Sequence, residues 1–449
     1  MSDTIVAVAT PAGESALSLI RISGTLALSI MNSALSIPCP TPRHAYVRHY
    51  NSVENEILDQ VVCIYYEIDK SFTGEEMIEI SCHGNPIIVH HILSDIIERG
   101  TRLAEPGEFT KRAYLNEKID LVQAESISEL ISAKNKILVN LAQKNLEGNL
   151  SSIIKNLQSN LITIQAKFEA FIDFPEDDIG KENHSETLSL VKEFQSYIFS
   201  LLEAYKKRET LDSHLKVLLV GAPNAGKSTL FNSILGYDRT IVSDVAGTTR
   251  DYISKTLVLE KTNIELIDTA GLRSTNDSTE SIGVKNTNEL LSQAELIVLV
   301  IDASLPYPTF LKTNLKGLSS DAKIIIAENK SDLPKVVNKK DYTKNDGIIA
   351  ISAKNKSGIN NLTKRIEEVI THDCNISDLD FSINIRHQQI ISKLNTQLIG
   401  VIDMIASKED DIIIIQQIKQ CLDSLGELTR PTDNEDMLDS LFKNFCIGK

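Results

Sequence analysis

One octapeptide constrains the fold more than any other segment: Gly221-Ala222-Pro223-Asn224-Ala225-Gly226-Lys227-Ser228. It follows an apolar run, Leu215–Val220, and opens a stretch with helical spacing, Ser228–Leu235. This is the G-x-x-x-x-G-K-[ST] pattern in the strand–loop–helix setting that its mechanism needs. Glycines let successive backbone N–H groups turn toward phosphate oxygens, and the helix N-terminus adds partial positive charge. Lys227 is then placed to reach the β- and γ-phosphates, and the Ser228 hydroxyl to bind Mg²⁺. Further short apolar runs follow at Ile264–Asp268, Glu295–Asp302, Ala322–Ala327 and Gly347–Ser352, with helical stretches between them. Alternation of continuous apolar strands with helices predicts a mostly parallel sheet covered on both faces across residues 213–372.

Three more segments fall at the ends of these runs. In Asp268-Thr269-Ala270-Gly271, the carboxylate can hold Mg²⁺ through water and the Gly271 N–H can sense a γ-phosphate. In Asn329-Lys330-Ser331-Asp332, a carboxylate can accept two N–H bonds from guanine N1 and N2, for which adenine has no matching donors. Ser352-Ala353-Lys354 falls where a loop would close over the base. Between them, Val245-Ala246-Gly247-Thr248-Thr249-Arg250-Asp251 offers a second hydroxyl to Mg²⁺, that of Thr249. These residues imply GTP binding and hydrolysis. The position after Gly271, where Ras-like proteins carry a water-orienting glutamine, holds Leu272, which cannot orient water. Arg250 and Arg273 lie nearby without being identifiable as arginine fingers. Asn224 has two readings: its amide oxygen ligates a monovalent cation that does an arginine finger's work, or it only shapes the loop. Glu280, with Asp277 one of the few carboxylates on the stretch after Asp268, either holds the attacking water or is a solvated loop charge.

The remaining chain differs in texture. Residues 1–118 mix short apolar runs (Ile5–Ala9, Leu17–Ile22, Gln60–Tyr65, Met77–Ser81) with Gly and Pro breaks, which predicts a small α+β domain. From Asp120 the spacing becomes helical, with one face formed by Leu150, Ile153, Ile154, Leu157, Leu161, Ile164, Phe168 and Phe171. Phe174-Pro175 ends that helix, and a further helical pattern runs from Leu188 to Tyr205. Helical texture returns after about Asn375, with Ile390, Leu394, Leu398, Val401 and Ile405 on one face. Each helical part is small and apolar, which favours an α/β block (213–372) inserted into one discontinuous helical domain (119–212 and 373–449) over three consecutive domains. The 449 residues suffice for two to four domains. No apolar stretch is long enough to span a membrane, and no secretory leader is visible. Six cysteines without a CxxC pair imply reduced thiols and a cytoplasmic protein. A net charge of −15 disfavours nucleic-acid binding over the whole surface, so any such work needs a local basic patch or a basic partner.

Further motifs give the chain a resemblance. Asp3-Thr4-Ile5-Val6-Ala7, Arg21-Ile22-Ser23-Gly24, Cys82-His83-Gly84 and Pro106-Gly107-Glu108-Phe109-Thr110-Lys111-Arg112-Ala113 stand in the N-terminal part. Phe445-Cys446-Ile447-Gly448-Lys449 stands at the other end, and Gly247-Thr248-Thr249-Arg250-Asp251 in the middle. Together they resemble, end to end, the bacterial MnmE (TrmE) tRNA modification GTPases. The resemblance implies a multidomain α/β protein: an N-terminal α+β folate-binding-like domain, a discontinuous all-helical domain and an inserted Ras-like P-loop GTPase domain. It implies a cytoplasmic homodimer joined through the N-terminal domains. With the flavoprotein MnmG, it would add a carboxymethylaminomethyl or aminomethyl group at C5 of the wobble uridine of certain tRNAs. The one-carbon unit would come from 5-formyltetrahydrofolate or a related tetrahydrofolate. The implied nucleotide contacts are Asn224, Ala225, Gly226, Lys227, Ser228, Thr229, Ser243, Asp244, Val245, Ala246, Gly247, Thr248, Thr249, Asp268, Thr269, Ala270, Gly271, Asn329, Lys330, Asp332, Ser352, Ala353 and Lys354. Mg²⁺ would be held by Ser228 and Thr249. K⁺ would be held by Asn224, Ser243, Val245 and Thr248, with paired GTPase domains closing around it. Glu280 takes the water-orienting role, and Arg21, Glu79, Lys118 and Lys449 the folate site, where cations suit a glutamate tail.

The chain departs from the family pattern at three places. Ser243 stands for Thr and keeps the hydroxyl. Asn85 stands for a second Gly after His83-Gly84, where its tolerance of left-handed backbone would preserve a turn. Arg430-Pro431 replaces a Gly-led loop. Cys446 has the spacing of a prenylation signal but the wrong last residue. It is either part of a frayed tail or, as the resemblance implies, a mobile catalytic or substrate-contacting cysteine. Cys82-His83 offers two metal ligands without companions. Two function classes follow: an enzyme whose GTPase cycle drives tRNA modification, and a regulatory switch whose output is partner binding. A folate-like domain and a cysteine tail favour the first, since a switch needs neither.

Overall fold

A computed structural model of the chain describes residues 3–173, 180–212, 215–236, 241–243, 253–259, 262–268, 294–307, 323–337, 347–371, 379–430, 435–443, 445 and 448. They form two compact units. The first comprises residues 1–131, 144–196 and 389–449, and the second residues 132–143 and 197–388.

The first unit begins with β1 (Ile5–Val8), β2 (Ser15–Ser23), α1 (Ala27–Leu35), β3 (Ala45–Asn51), β4 (Ile57–Tyr66), β5 (Met77–Gly84), α2 (Pro86–Glu98), β6 (Arg102–Leu103) and α3 (Glu108–Leu115). The strands make one sheet in the order β3-β4-β5-β2-β1-β6, antiparallel throughout except for the parallel β1–β6 pair. Period-two alternation decides its faces. In β5, Ile78, Ile80 and Cys82 point into a core with Ile20 and Ile22 of β2, Ile30 and Met31 of α1, and Ile92 and Ile96 of α2. Glu79, Ser81 and His83 therefore line the opposite face. The four apolar runs of the sequence lie on β1, β2, β4 and β5. β3 gave no apolar run because most of its residues are exposed. Asn85 is not left-handed as its substitution for Gly suggested: φ is −84°, and its side chain caps α2 by accepting the Ile87 N–H.

Helices follow: α4 (Leu121–Ser132), α5 (Lys136–Leu146), α6 (Asn149–Asp173) and α7 (Gly180–Asp212). The α6 face is buried at Leu150, Ile154, Leu157, Leu161, Ile164 and Phe168, while Ile153 is only partly covered. The Phe171 side chain lies outside the described residues.

The second unit holds β7 (Leu215–Gly221), α8 (Lys227–Leu235), β8 (Ile241–Ser243), β9 (Ile253–Val258), β10 (Asn263–Asp268), β11 (Leu296–Asp302), β12 (Lys323–Asn329), β13 (Ile348–Ala350) and α9 (Ile359–Thr371). Its seven strands run in the order β13-β12-β11-β7-β10-β9-β8. The first five are parallel, and β9 and β8 add an antiparallel edge. The sequence runs located the five parallel strands. The β8–β9 pair was missed, because β8 is three residues long and the Gly-Thr-Thr-Arg-Asp stretch intervenes. β11, buried at every position, is the most uniformly apolar strand and is the middle one of the five parallel strands.

The chain returns through α10 (Ile385–Ser407), α11 (Asp411–Gly426) and α12 (Glu435–Phe442). Ile390, Leu394, Leu398, Val401 and Ile405 of α10 are all buried, and α11 packs on α6. No helix among the described residues is long and apolar enough to cross a membrane.

Candidate nucleotide site

Parallel order brings the C-terminal ends of β7, β10, β11 and β12 to one edge, the usual ligand edge of an open α/β sheet. Register pairs Asp268 with Leu219, Gly221 with Val300, and Asp302 with Asn329. Gly221, Asp268, Asp302 and Asn329 thus become neighbours although they are scattered in sequence.

The phosphate loop is shaped by backbone that few residues tolerate. Asn224 has φ +62° and Gly226 φ +94°. A Cβ on Gly226 would stand 2.3 Å from Asn329 Nδ2, and one on Gly221 would stand 2.2 Å from the Val300 carbonyl oxygen. Close approach therefore requires glycine at both positions, and at Gly226 the turn requires it as well. α8 starts directly after Gly226, so its first N–H groups face the loop. Lys227 is buried and donates to the carbonyls of Gly221 (2.9 Å) and Ala222 (3.0 Å). Ser228 and Thr229 are exposed at the helix start. The Ser228 hydroxyl donates to Asp268 Oδ2 at 2.6 Å. A hydroxyl oxygen beside a carboxylate is the all-oxygen donor set that Mg²⁺ takes.

The base-side loops are tied to the phosphate loop by one side chain. Buried Asn329 donates from Nδ2 to the Ala225 carbonyl at 2.8 Å, and its Oδ1 accepts the Ala353 N–H at 3.0 Å. Ser352 and Ala353 are buried, while Lys354 is exposed. Ser233 of α8 holds the same loop by donating to the Ala353 carbonyl at 2.7 Å. Asp332 is exposed. The Ser352 hydroxyl, with Lys354 and Lys330 nearby, holds its carboxyl below the usual carboxylate range. It is an ionised acceptor, the state a guanine N1–H and N2–H₂ edge requires. Lys330 has φ +62°, and its ammonium pairs with Asp302 at 2.6 Å. Sequence reasoning missed Asp302 and its neighbour Ser304. The available signal was an acidic residue at the end of the most apolar strand.

Several expected site residues lie outside the described residues: Asp244, Val245, Ala246, Gly247, Thr248, Thr249, Thr269, Ala270, Gly271, Glu280, Cys446 and Lys449. Ser243 is described in its backbone, where it pairs with Thr256 across β8 and β9.

In the first unit, Arg21 and Glu79 face each other across β2 and β5, with Nε 2.8 Å from Oε1. The Tyr66 hydroxyl donates to Glu79 Oε2 at 3.1 Å. Burial first, and the Glu79 charge second, push that hydroxyl's pKa up, which keeps it a donor. Arg21 Nη1 also donates to the Gly448 carbonyl at 3.4 Å, bringing the tail to this cluster. Gly448 has φ +88°, and a Cβ there would stand 2.7 Å from the Val8 carbonyl oxygen. Lys118 is engaged with a different group, the Asp69 carbonyl, at 2.6 Å. Of the four expected folate residues, then, Arg21 and Glu79 are in direct contact.

The Pro106–Ala113 motif has a visible structural part. Glu108 bonds Arg102 at 2.6 Å and Arg112 at 2.9 Å, and Arg112 also reaches Glu75 (2.9 Å) and Asp3 (3.0 Å). Cys82 is buried against the Ser18 carbonyl, and burial pushes its thiol up to about 11. His83 is exposed and bonds Asp59 through Nδ1 at 2.8 Å. Each residue of this dipeptide is thus accounted for without a metal.

A family model described as the MnmE helical domain matches residues 121–446, and one described as the GTP-binding protein TrmE N-terminus matches residues 4–118. A tRNA modification GTPase MnmE of Aquifex aeolicus is 37% identical over 451 residues, covering 100% of both chains. Its namesake from Clostridioides difficile is 38% identical over 459 residues, again covering 100% of both. That of Cytophaga hutchinsonii is 35% identical, covering 100% of this chain and 98% of its own. Among solved structures, the G domain of the T. maritima FeoB iron transporter is 26% identical. It covers 35% of this chain and 99% of its own, with a TM-score of 0.27. With two family models covering nearly the whole length and full-length relatives above 30% identity, this chain belongs to the MnmE family of tRNA modification GTPases.

Proposed function

We propose that this chain hydrolyses GTP and couples the cycle to modification of tRNA. The observation that carries the reading is Asn329. One amide binds the phosphate loop through Ala225 and the base loop through Ala353, so phosphate and base recognition form one connected site. Beside it stands Asp332, an ionised acceptor suited to guanine.

Ser228 and Asp268 would hold Mg²⁺, the first directly and the second through water, with Thr249 as the second hydroxyl ligand. The metal supplies charge neutralisation on the β- and γ-phosphates. Lys227 exchanges its loop carbonyls for phosphate oxygens, and the N–H groups at the start of α8 orient them. Leu272 leaves the attacking water without the usual glutamine, so Glu280 is assigned to position it. Asn224, held at φ +62° at the exposed rim of the loop, suits a K⁺ ligand together with Ser243, Val245 and Thr248. The family relationship supports a homodimer whose GTPase domains pair around that ion.

In the first unit, Arg21, Glu79, Lys118 and Lys449 are assigned to a tetrahydrofolate derivative such as 5-formyltetrahydrofolate. Support comes from the Arg21–Glu79 pair and from the tail carbonyl of Gly448 on the same arginine. Cys446, two residues before Gly448 in the sequence, is assigned to the chemistry on the one-carbon unit. The flavoprotein MnmG is the proposed partner, and C5 of the wobble uridine the proposed target. At a net charge of −15, the partner would supply much of the basic surface for tRNA. The cytoplasm is the matching location.

The test is mass spectrometry of wobble-uridine nucleosides in total tRNA after deletion of the gene. Loss of the C5 aminomethyl-type group is expected. Unchanged modification alongside intact GTP hydrolysis would leave the regulatory-switch reading instead.

A further inference from the structure

We infer that Asp302 is a positioning residue for guanine-nucleotide binding, acting through Lys330. The inference rests on the guanine reading above and extends it to a residue outside the four nucleotide motifs.

Asp302 ends β11, beside Asn329 at the end of β12, and its residue is 9% exposed. Both of its oxygens are engaged. Oδ2 takes the Lys330 ammonium at 2.6 Å. Oδ1 accepts the Ser304 N–H at 3.0 Å and the Ser304 hydroxyl at 2.6 Å. The next residue continues the tie, with Ala303 N–H donating to the Asn329 carbonyl at 2.9 Å. Burial alone would push the Asp302 carboxyl up, but Lys330 and Ser304 outweigh it and hold it below the usual range. The pair is therefore an ion pair at neutral pH.

Lys330 needs such a fixture. It lies between Asn329 and the Asp332 acceptor, in left-handed backbone at φ +62° that lysine adopts at a cost. Its side chain is a flexible four-carbon stem that loses rotamer freedom when ordered. Anchoring the ammonium on Asp302 draws the stem across the strand ends on the base side of the site. That orders it before nucleotide arrives, so the ordering cost does not fall on binding. Ser304 in turn fixes the carboxylate. Asp302 itself touches no part of the nucleotide in this assignment.

The test uses full-length protein, a fluorescent GDP, and the variants Asp302→Asn, Lys330→Met, Ser304→Ala and the Asp302→Asn/Lys330→Met double. Asp302→Asn is expected to weaken GDP about five- to tenfold, through faster dissociation. Single-turnover hydrolysis at saturating GTP and the ligand-free melting temperature should stay unchanged. The double variant should be no weaker than Lys330→Met alone, because both changes remove one interaction. Ser304→Ala should show a smaller loss of the same kind. It carries the test should Asp302→Asn lower the ligand-free melting temperature. Additive losses in the double variant, or GDP affinity unchanged in both Asp302→Asn and Ser304→Ala, would overturn the inference. Wild-type protein that binds ADP as well as GDP would instead overturn the guanine reading beneath it.

Discussion

At the scale of single residues, the site depends on positions where no side chain fits. Gly226 is the sharpest case, since its φ of +94° and its approach to Asn329 both exclude a Cβ. Gly226→Ala combines left-handed strain of about 1–2 kcal/mol with displacement of the Asn329 amide, and is expected to weaken GDP about 30- to 100-fold. A fluorescent-GDP titration reads this directly, and affinity within about twofold of wild type would show that the loop tolerates the Cβ. Glu108 is the corresponding residue in the first unit. It joins Arg102 and Arg112, and Glu108→Ala takes one partner from buried Arg112, which keeps Glu75 and Asp3, at a cost of about 1–3 kcal/mol. Burial alone would raise the Glu108 carboxyl, but Arg102, a backbone N–H and Arg112 together hold it below its ordinary value. Its stabilisation is therefore complete above the unfolded-state pKa of about 4 and is lost as pH falls through the lower folded value. Urea unfolding should show the Glu108→Ala deficit in full at pH 7 and a smaller one near pH 3. An equal deficit at both would mean that packing, and not charge, is at stake.

Among the elements, α3 and α12 show what one motif does beyond its own helix. Gly107, at φ +69°, comes so close to α12 that a Cβ would stand 2.6 Å from the Phe442 carbonyl oxygen. Phe442 packs on Tyr114 and Phe445, with ring centroids 6.4 and 5.1 Å away, and Lys111 pairs with Asp439. The Pro106–Ala113 segment is therefore also the seat of α12 and of the approach to the tail. Gly107→Ala is expected to undock α12, seen as lost hydrogen-exchange protection over residues 435–443 with the β1–β5 sheet still protected. Unchanged protection of α12 would remove the docking role from Gly107.

For the whole molecule, the central question is what replaces the missing glutamine at Leu272. A K⁺ ion shared by paired GTPase domains would stabilise charge that develops only in the transition state. GTP turnover is then expected to be at least about tenfold faster in K⁺ than in Na⁺ at equal ionic strength, with GTP affinity little changed. Equal turnover in the two salts would exclude the ion as the catalytic device. Glu280→Ala should lower the hydrolysis rate far more than GTP affinity, and a matched fall in both would make the glutamate structural.

The strand–loop–helix of the phosphate site was legible in the sequence because its parts are adjacent. Apolar run, glycines, lysine and serine follow one another, and local chemistry fixes their conformation. Asp268 and Asn329 were legible for a related reason, since each closes an apolar strand and parallel strands end on one edge, and Asp332 follows Asn329 in the same short motif. Asp302 also closes such a strand, but its meaning depends on Lys330, 28 residues away, and only strand order makes them neighbours. Asn329 was read as part of a base-binding motif, whereas its amide ties two loops through an atom 104 residues away. Arg21 meets Gly448 across 427 residues and Arg112 meets Asp3 across 109, contacts to which no local periodicity points. Sequence by itself thus determined the elements and the chemistry each could offer, because propensity, turn geometry and motif spacing act over a few residues. Only the tertiary structure decided which charges pair and which side chain joins phosphate loop to base loop, because those choices depend on sheet order and burial.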